Sequence, residues 1–190
     1  MATTIKRTGF GQVEPNHLSA QRTSQIYAQL PAASSIEILE NGQFVKYDYA
    51  NGVCNFTGKG EWMMVFNEVK LYDGWRETYK DFAMKKSNYT PGGNITHNGV
   101  GPFPGQMVPR VIKTNIGDIY TTNAIGGPNT DGKAAYAGID VTVGDLLKVN
   151  KANGFLIAGG NTTTDDMVWQ VVKVYTMADG QPAVKLMRIK

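Results

Sequence analysis

From residue 35 onward the chain reads as short apolar runs separated by turn residues, the pattern of strands rather than helices. Ile36-Glu37-Ile38-Leu39 is followed by Asn41-Gly42 and then by Phe44-Val45-Lys46-Tyr47-Asp48-Tyr49. Asn51-Gly52 leads into Val53-Cys54-Asn55-Phe56. Asn-Gly accepts the positive φ angles of a tight hairpin, so the two turns predict a three-strand meander. Residues 62–72 predict a further strand. Trp75, Tyr79 and Phe82 then recur at helical spacing, while Arg76-Glu77-Thr78-Tyr79 reads equally well as a strand, and both readings stay open there. The last third returns to short runs at 108–112, 118–122, 139–143, 146–149 and 155–158. The clearest element is the closing hairpin, in which 168–175 meets 183–189 across Asp179-Gly180. Lys185 and Arg188 interrupt its apolar positions, as in a strand buried on one side.

The flanks of these runs read differently. Residues 1–15 hold Gly9, Gly11 and Pro15 and show no clear period, which predicts an extended arm. Asn16 is placed to cap a short helix over 17–29 with Leu18, Ile26, Tyr27 and Leu30 as a thin apolar stripe, ended by Pro31. Residues 87–107 contain Pro91-Gly92-Gly93, Asn98-Gly99, Gly101-Pro102 and Pro104-Gly105, the composition of a long loop. The expected organisation is an arm with a short helix (1–34), a β-rich region (35–86), a Gly/Pro-rich loop or linker (87–107) and a small β-barrel (108–190). The expected fold class is mainly β, in small barrel or sandwich modules. One internal echo stands out: Asn115-Ile116-Gly117-Asp118-Ile119 matches Thr142-Val143-Gly144-Asp145-Leu146, which predicts two similar Gly-Asp turns.

Composition narrows the function classes. Charged residues are 18% of the 190, against about 25% in typical globular chains, and hydrophobic residues are 42%. The net charge of +3 is scattered, with Lys85-Lys86 and the C-terminal Arg188 and Lys190 as the densest groups. Nucleic-acid binding wants a concentrated basic face, so that partner is disfavoured. Cys54 is the one cysteine, so no intrachain disulfide forms, and it reads as a small buried hydrophobe. Residues 1–8 hold no apolar signal-peptide core and no run approaches about 18 apolar residues, so a membrane is not an expected partner. Four Asn-X-Thr sequons, at Asn55, Asn88, Asn94 and Asn161, are read as a product of Asn- and Thr-rich composition.

No catalytic, cofactor or metal residue is assigned from the sequence. The two histidines, His17 and His97, are far apart and lack metal-ligand spacing. None of the five serines sits in a nucleophile elbow. Gly92-Gly93, Gly99-x-Gly101 and Gly126-Gly127 lack the Lys-Ser/Thr ending of a phosphate loop. Three carboxylate pairs are candidates for glycosidase-type chemistry: Glu37 with Glu40, Asp165 with Asp166, and Glu77 with Asp81. The first two pairs read as solvated turn residues, and Asp165-Asp166 lacks the ladder of a calcium loop. Trp62, Trp75 and Trp169 lie in or beside strand runs, where aromatics form core or stack on sugars.

An arm, a long loop and small β modules suit a subunit that wraps neighbours, because an extended arm gains order only against a partner. The run Gly144-Asp145-Leu146-Leu147-Lys148-Val149, the turn Asn153-Gly154, and the hairpin from Trp169-Gln170-Val171-Val172-Lys173-Val174 to Val184-Lys185-Leu186 resemble the small β-barrels of tailed-bacteriophage virion proteins. The auxiliary capsid, or decoration, type is nearest. The resemblance lies mainly over 108–190. It implies a non-enzymatic protein that binds and stabilises a capsid, with a major capsid protein as partner, self-association left open, and assembly in the host cytoplasm. A head–tail connector or tail component shares the same implied features. A carbohydrate-binding module working through Trp62, Trp75 or Trp169 is the expectation from a different class.

Overall fold

In a computed structural model of the chain, residues 1–67, 83–89, 106–127 and 138–190 are described. The strands over them are β1 (Thr3–Ile5), β2 (Val13–His17), β3 (Ile26–Tyr27), β4 (Ile38–Glu40), β5 (Phe44–Asp48), β6 (Val53–Asn55), β7 (Met63–Val65), β8 (Ala83–Lys85), β9 (Val111–Lys113), β10 (Ile119–Thr122), β11 (Ile139–Val141), β12 (Leu146–Val149), β13 (Leu156–Ala158), β14 (Val168–Thr176) and β15 (Pro182–Arg188). One short helix, α1 (Ala20–Thr23), lies between β2 and β3. The chain is mainly β, as its pattern predicts.

The strands form a six-stranded sheet in the order β13-β12-β14-β15-β10-β2, a five-stranded sheet β3-β9-β7-β5-β6, and two ribbons, β1-β11 and β4-β8. Neighbouring strands all pair antiparallel. Neither large sheet closes on itself among the described residues, so the arrangement is sandwich-like and the barrel expected over 108–190 does not form. The two sheets share one core. Phe44, Met64 and Ile112 of the five-stranded sheet pack with Tyr120, Leu147, Trp169 and Leu186 of the six-stranded sheet. The Phe44 and Trp169 ring centroids are 5.9 Å apart. The opposite face of the five-stranded sheet carries Val45, Met63, Val65 and Val111, covered by Leu39, Met84 and Ile36. That sheet is buried on both faces, which explains why Met63-Met64-Val65 is apolar without alternation.

The N-terminal segment belongs to this body. Ile5 is fully buried, β1 pairs with β11, and β2 forms an edge of the six-stranded sheet against β10. Positions 4 to 9 alternate between exposed and buried, with Ile5, Arg7 and Gly9 inward. The alternation was hidden because two of its three inward residues are an arginine and a glycine. Pro15 sits in the edge strand, where its missing N–H interrupts further pairing. The expected helix over 17–29 shrinks to four residues. Ser24 takes a left-handed conformation at φ 57° and ends it, and Ile26 and Tyr27 leave to pair with β9. The core also overrides the expected boundaries at 34 and 108, since Ile5, Leu18, Phe44, Met64 and Trp169 lie in one cluster.

The turns divide similarly. Asn51-Gly52 makes its hairpin, pairing β5 with β6, and Asp179-Gly180 joins β14 to β15. Asn41-Gly42 does not, because β4 pairs with β8 and β5 with β7. Gly42, at φ 90°, turns the chain from the ribbon into the sheet, and a Cβ there would stand 2.7 Å from Ala124 Cβ. The predicted segment around Trp75, most of the 87–107 loop and residues 68–72 lie outside the described residues.

The echo between 115–119 and 142–146 is structural. In each turn an aspartate accepts from the first residue's backbone N–H: Asn115 N to Asp118 Oδ2 at 2.8 Å, and Thr142 N to Asp145 Oδ2 at 2.7 Å. Each glycine N–H then reaches a strand carbonyl, Gly117 to Arg188 O and Gly144 to Val171 O, both at 2.8 Å. Gly117 and Gly144 have φ 91° and 98°, which is why glycine recurs there. The strand pairs are also equivalent: Ile119 faces Met187 as Leu146 faces Gln170, and Gln170 itself faces Met187. An approximate two-fold axis therefore passes through the Gln170–Met187 pair and exchanges β10-β15 with β12-β14.

Tyr120 gives a stability test of the core. Its ring meets Trp169 edge-on at 4.8 Å, it is fully buried, and its Oη has no hydrogen-bond partner among the described residues. An unsatisfied buried hydroxyl costs about 1–3 kcal/mol. Tyr120→Phe is therefore expected to leave stability unchanged or raise it by about 1 kcal/mol in urea unfolding. A loss of that size would mean the hydroxyl is bonded.

Candidate functional site

The residues singled out from the sequence fall mostly into structural roles. Cys54 is fully buried, and that burial pushes its thiol up to about 12. It stays protonated at neutral pH and cannot act as a thiolate. Alkylation of the native chain at pH 8 is expected to run tenfold or more slower than that of the urea-unfolded chain, on the order set by the lost thiolate. Equal rates would contradict the burial. The folded thiol holds its proton longer than the unfolded one, whose ordinary value is near 9.0. Its contribution is therefore fully present below that value and declines as the pH rises toward about 12.

Of the carboxylate pairs, the two that lie among the described residues are each engaged by separate partners. Glu37 is exposed and bridges Lys86 at 3.0 Å. Glu40, expected in a solvated turn, is fully buried. Its Oε2 accepts from Arg7 Nη2 at 3.0 Å and from Gly11 N at 2.7 Å. Arg7 also donates to Gly127 O at 2.8 Å and lies over the Phe155 ring. This ion pair ties the N-terminal segment to β4 and to the loop after β10. Pattern reading misses it because Arg7 counts as polar. Asp166 bridges Lys46 at 3.1 Å, and hydrogen bonding to Lys46 holds its carboxyl below the usual range. Asp165 accepts from Asn161 N and lies 3.9 Å from Lys148. Each acid therefore has its own basic or backbone partner. Among the described residues no three His, Cys, Asp or Glu side chains cluster as a metal site.

Trp62 and Trp169 are 3% and 0% exposed. They form core and cannot stack on a sugar, which corrects the carbohydrate expectation for these two. Lys46 Nζ lies over the Trp62 ring. Two sequon asparagines cap turns instead: Asn55 Oδ1 accepts from Thr57 N and Gly58 N, and Asn161 Oδ1 from Thr163 N. His17 is exposed at the end of β2, and Gly126 takes φ 92° in the loop after β10. His97, Trp75, Glu77, Asp81, Asn94 and the glycines at 92, 93, 99 and 101 lie outside the described residues. No helix of the described residues is long and apolar enough to cross a membrane.

Two surface features remain. The first is the outer face of the six-stranded sheet. Leu146, Gln170, Met187 and Ile119 form one row across β12, β14, β15 and β10, and all four are partly exposed. Beyond the row stand Ile116, 71% exposed, and Val143, 60% exposed, the tips of the two matching turns. Lys173 and Lys185 pair directly in the next row, and Lys148 borders the other side.

No family model, no curated protein and no solved structure matches this chain.

The second feature is an open pocket of about 220 Å³ at one end of the five-stranded sheet. Tyr27 from β3, Lys113 from β9, Met63 from β7 and Tyr47 from β5 meet there, joined by Tyr49, Gly60 and Glu61. Strand order β3-β9-β7-β5 makes these residues neighbours. Tyr27 and Tyr47 meet edge-on at 6.5 Å, and Tyr47 and Tyr49 at 5.7 Å. Tyr47 is nearly buried, and its Oη accepts from Gln29 N at 3.2 Å. Burial raises its phenol. At the rim, Lys113 Nζ and Glu61 Oε1 are 2.6 Å apart, a bond that raises the Lys113 ammonium above its ordinary value. The alternation Tyr47-x-Tyr49 is the one sequence signal that two of these rings share a side.

Proposed function

We propose that this chain is a non-enzymatic structural subunit of a virion, an auxiliary or decoration protein that binds and stabilises a tailed-bacteriophage capsid. The outer face of the six-stranded sheet carries the reading. Its partly exposed apolar row, bracketed by Ile116 and Val143, is the kind of surface that protein contacts cover. Residues 108–190, which bear the resemblance to virion β modules, supply five of that sheet's six strands. Lys148, Lys173 and Lys185 along the row favour a partner surface with acidic groups, as a major capsid protein would have to present. The N-terminal segment no longer supports the reading, because it is built into the body.

The test is binding to particles. Ile116→Asp and Val143→Asp change exposed tips and are expected to leave the fold intact. Each should reduce co-sedimentation with capsids that lack the chain. Unchanged binding by the double variant would refute docking through this face. Copy number then separates the two virion roles: hundreds per particle for lattice decoration, a single ring for a head–tail connector or tail component.

A further inference from the structure

We infer that the tyrosine pocket is a binding site for a neutral pyranose sugar. The inference is independent of the capsid reading, since a subunit that never joins a particle keeps the pocket. The Tyr47 ring stands at 72° to Tyr27 and at 88° to Tyr49, so the rings lining the pocket meet edge to face at both contacts. Tyr49 is 73% exposed, so its ring is available to a ligand, while Tyr47 and Met63 are nearly buried and back the pocket. Gly60 adds no side chain that would narrow it.

The rim decides the ligand's charge. Lys113 and Glu61 hold opposite charges 2.6 Å apart, and each is partly exposed. An anion approaching Lys113 meets Glu61, and a cation approaching Glu61 meets Lys113, so neither gains net attraction. A neutral ligand with adjacent hydroxyls can donate to the carboxylate and accept from the ammonium together. The same ligand needs an apolar side of C–H groups to lie on the negative face of a tyrosine ring. A pyranose combines these two properties. Pockets of this kind, apolar with a few convergent polar groups, are the common form of small-ligand sites. The sugar expectation attached to Trp62 and Trp169 thus moves to residues that are accessible.

The experiment is an amide chemical-shift titration of the whole chain. The probes are methyl α-D-glucopyranoside, methyl β-D-galactopyranoside and N-acetylglucosamine, with decaproline as a peptide control for aromatic grooves. At least one sugar is expected to shift the amides of Tyr27, Tyr49 and Gly60, with a Kd on the order of millimolar. Tyr49→Ala should weaken binding about tenfold through loss of one ring contact. Tyr49→Trp should keep or tighten it, which separates stacking from an incidental surface effect. The inference is overturned if no sugar shifts these amides, if the shifts survive Tyr49→Ala unchanged, or if decaproline alone produces them.

Discussion

Deleting residues 1–17 is expected to leave the rest of the chain unable to fold. An extended arm lying on a partner could be removed at no cost to the body. Here the deletion removes Ile5, fully buried in the shared core, and β2, which covers the edge of β10. It also leaves Glu40 buried without Arg7. Loss of a buried large aliphatic side chain alone costs about 2–5 kcal/mol, and breaking a buried ion pair by removing one partner about 3–5 kcal/mol. Whole domains are stable by about 5–15 kcal/mol. Circular dichroism of the deleted chain should show no cooperative thermal transition. A transition within a few degrees of the full chain's would restore the separate-arm description.

The Arg7–Glu40 pair gives the second large effect. Both side chains are fully buried and only 3.0 Å apart. Removing either partner breaks a fully buried ion pair, so Arg7→Ala and Glu40→Ala should each destabilise by about 3–5 kcal/mol in urea unfolding. The double variant should cost clearly less than the two together, because both single changes lose the same bond. Additive losses would mean that the two groups do not depend on each other. Replacing the pair with apolar residues of similar volume is expected to cost much less than either single change.

The closing hairpin was legible because β14 and β15 are the two longest apolar runs and Asp179-Gly180 names its own turn. The twin Gly-Asp turns were legible because their chemistry is local: each aspartate bonds an N–H three residues back. The N-terminal strands were not, because their inward positions are held by Arg7 and Gly9, and Arg7 becomes an inward residue only once Glu40 arrives from β4. The pairing of β4 failed for a related reason. Asn41-Gly42 has hairpin chemistry, yet close packing against Ala124 makes it a corner between sheets. The tyrosine pocket depends mainly on strand order. Its residues come from positions 27, 47, 49, 60, 61, 63 and 113, and beyond the Tyr47-x-Tyr49 alternation no local pattern joins the separate strands. Trp62 and Trp169, two of the most visible aromatics in the sequence, went to the core because their area is worth most there.

We propose that the open face of the six-stranded sheet docks on a virion. Hydroxyl-radical footprinting of the free chain and of the chain bound to capsids tests it most directly, with Met187, Ile116 and Val143 as reporters. The prediction is that all three react in the free chain and become protected on the particle, while the exposed Tyr49 at the separate pocket reacts in both. Equal labelling of the three reporters in the free and particle-bound chain, or failure of the chain to bind capsids at all, would contradict it.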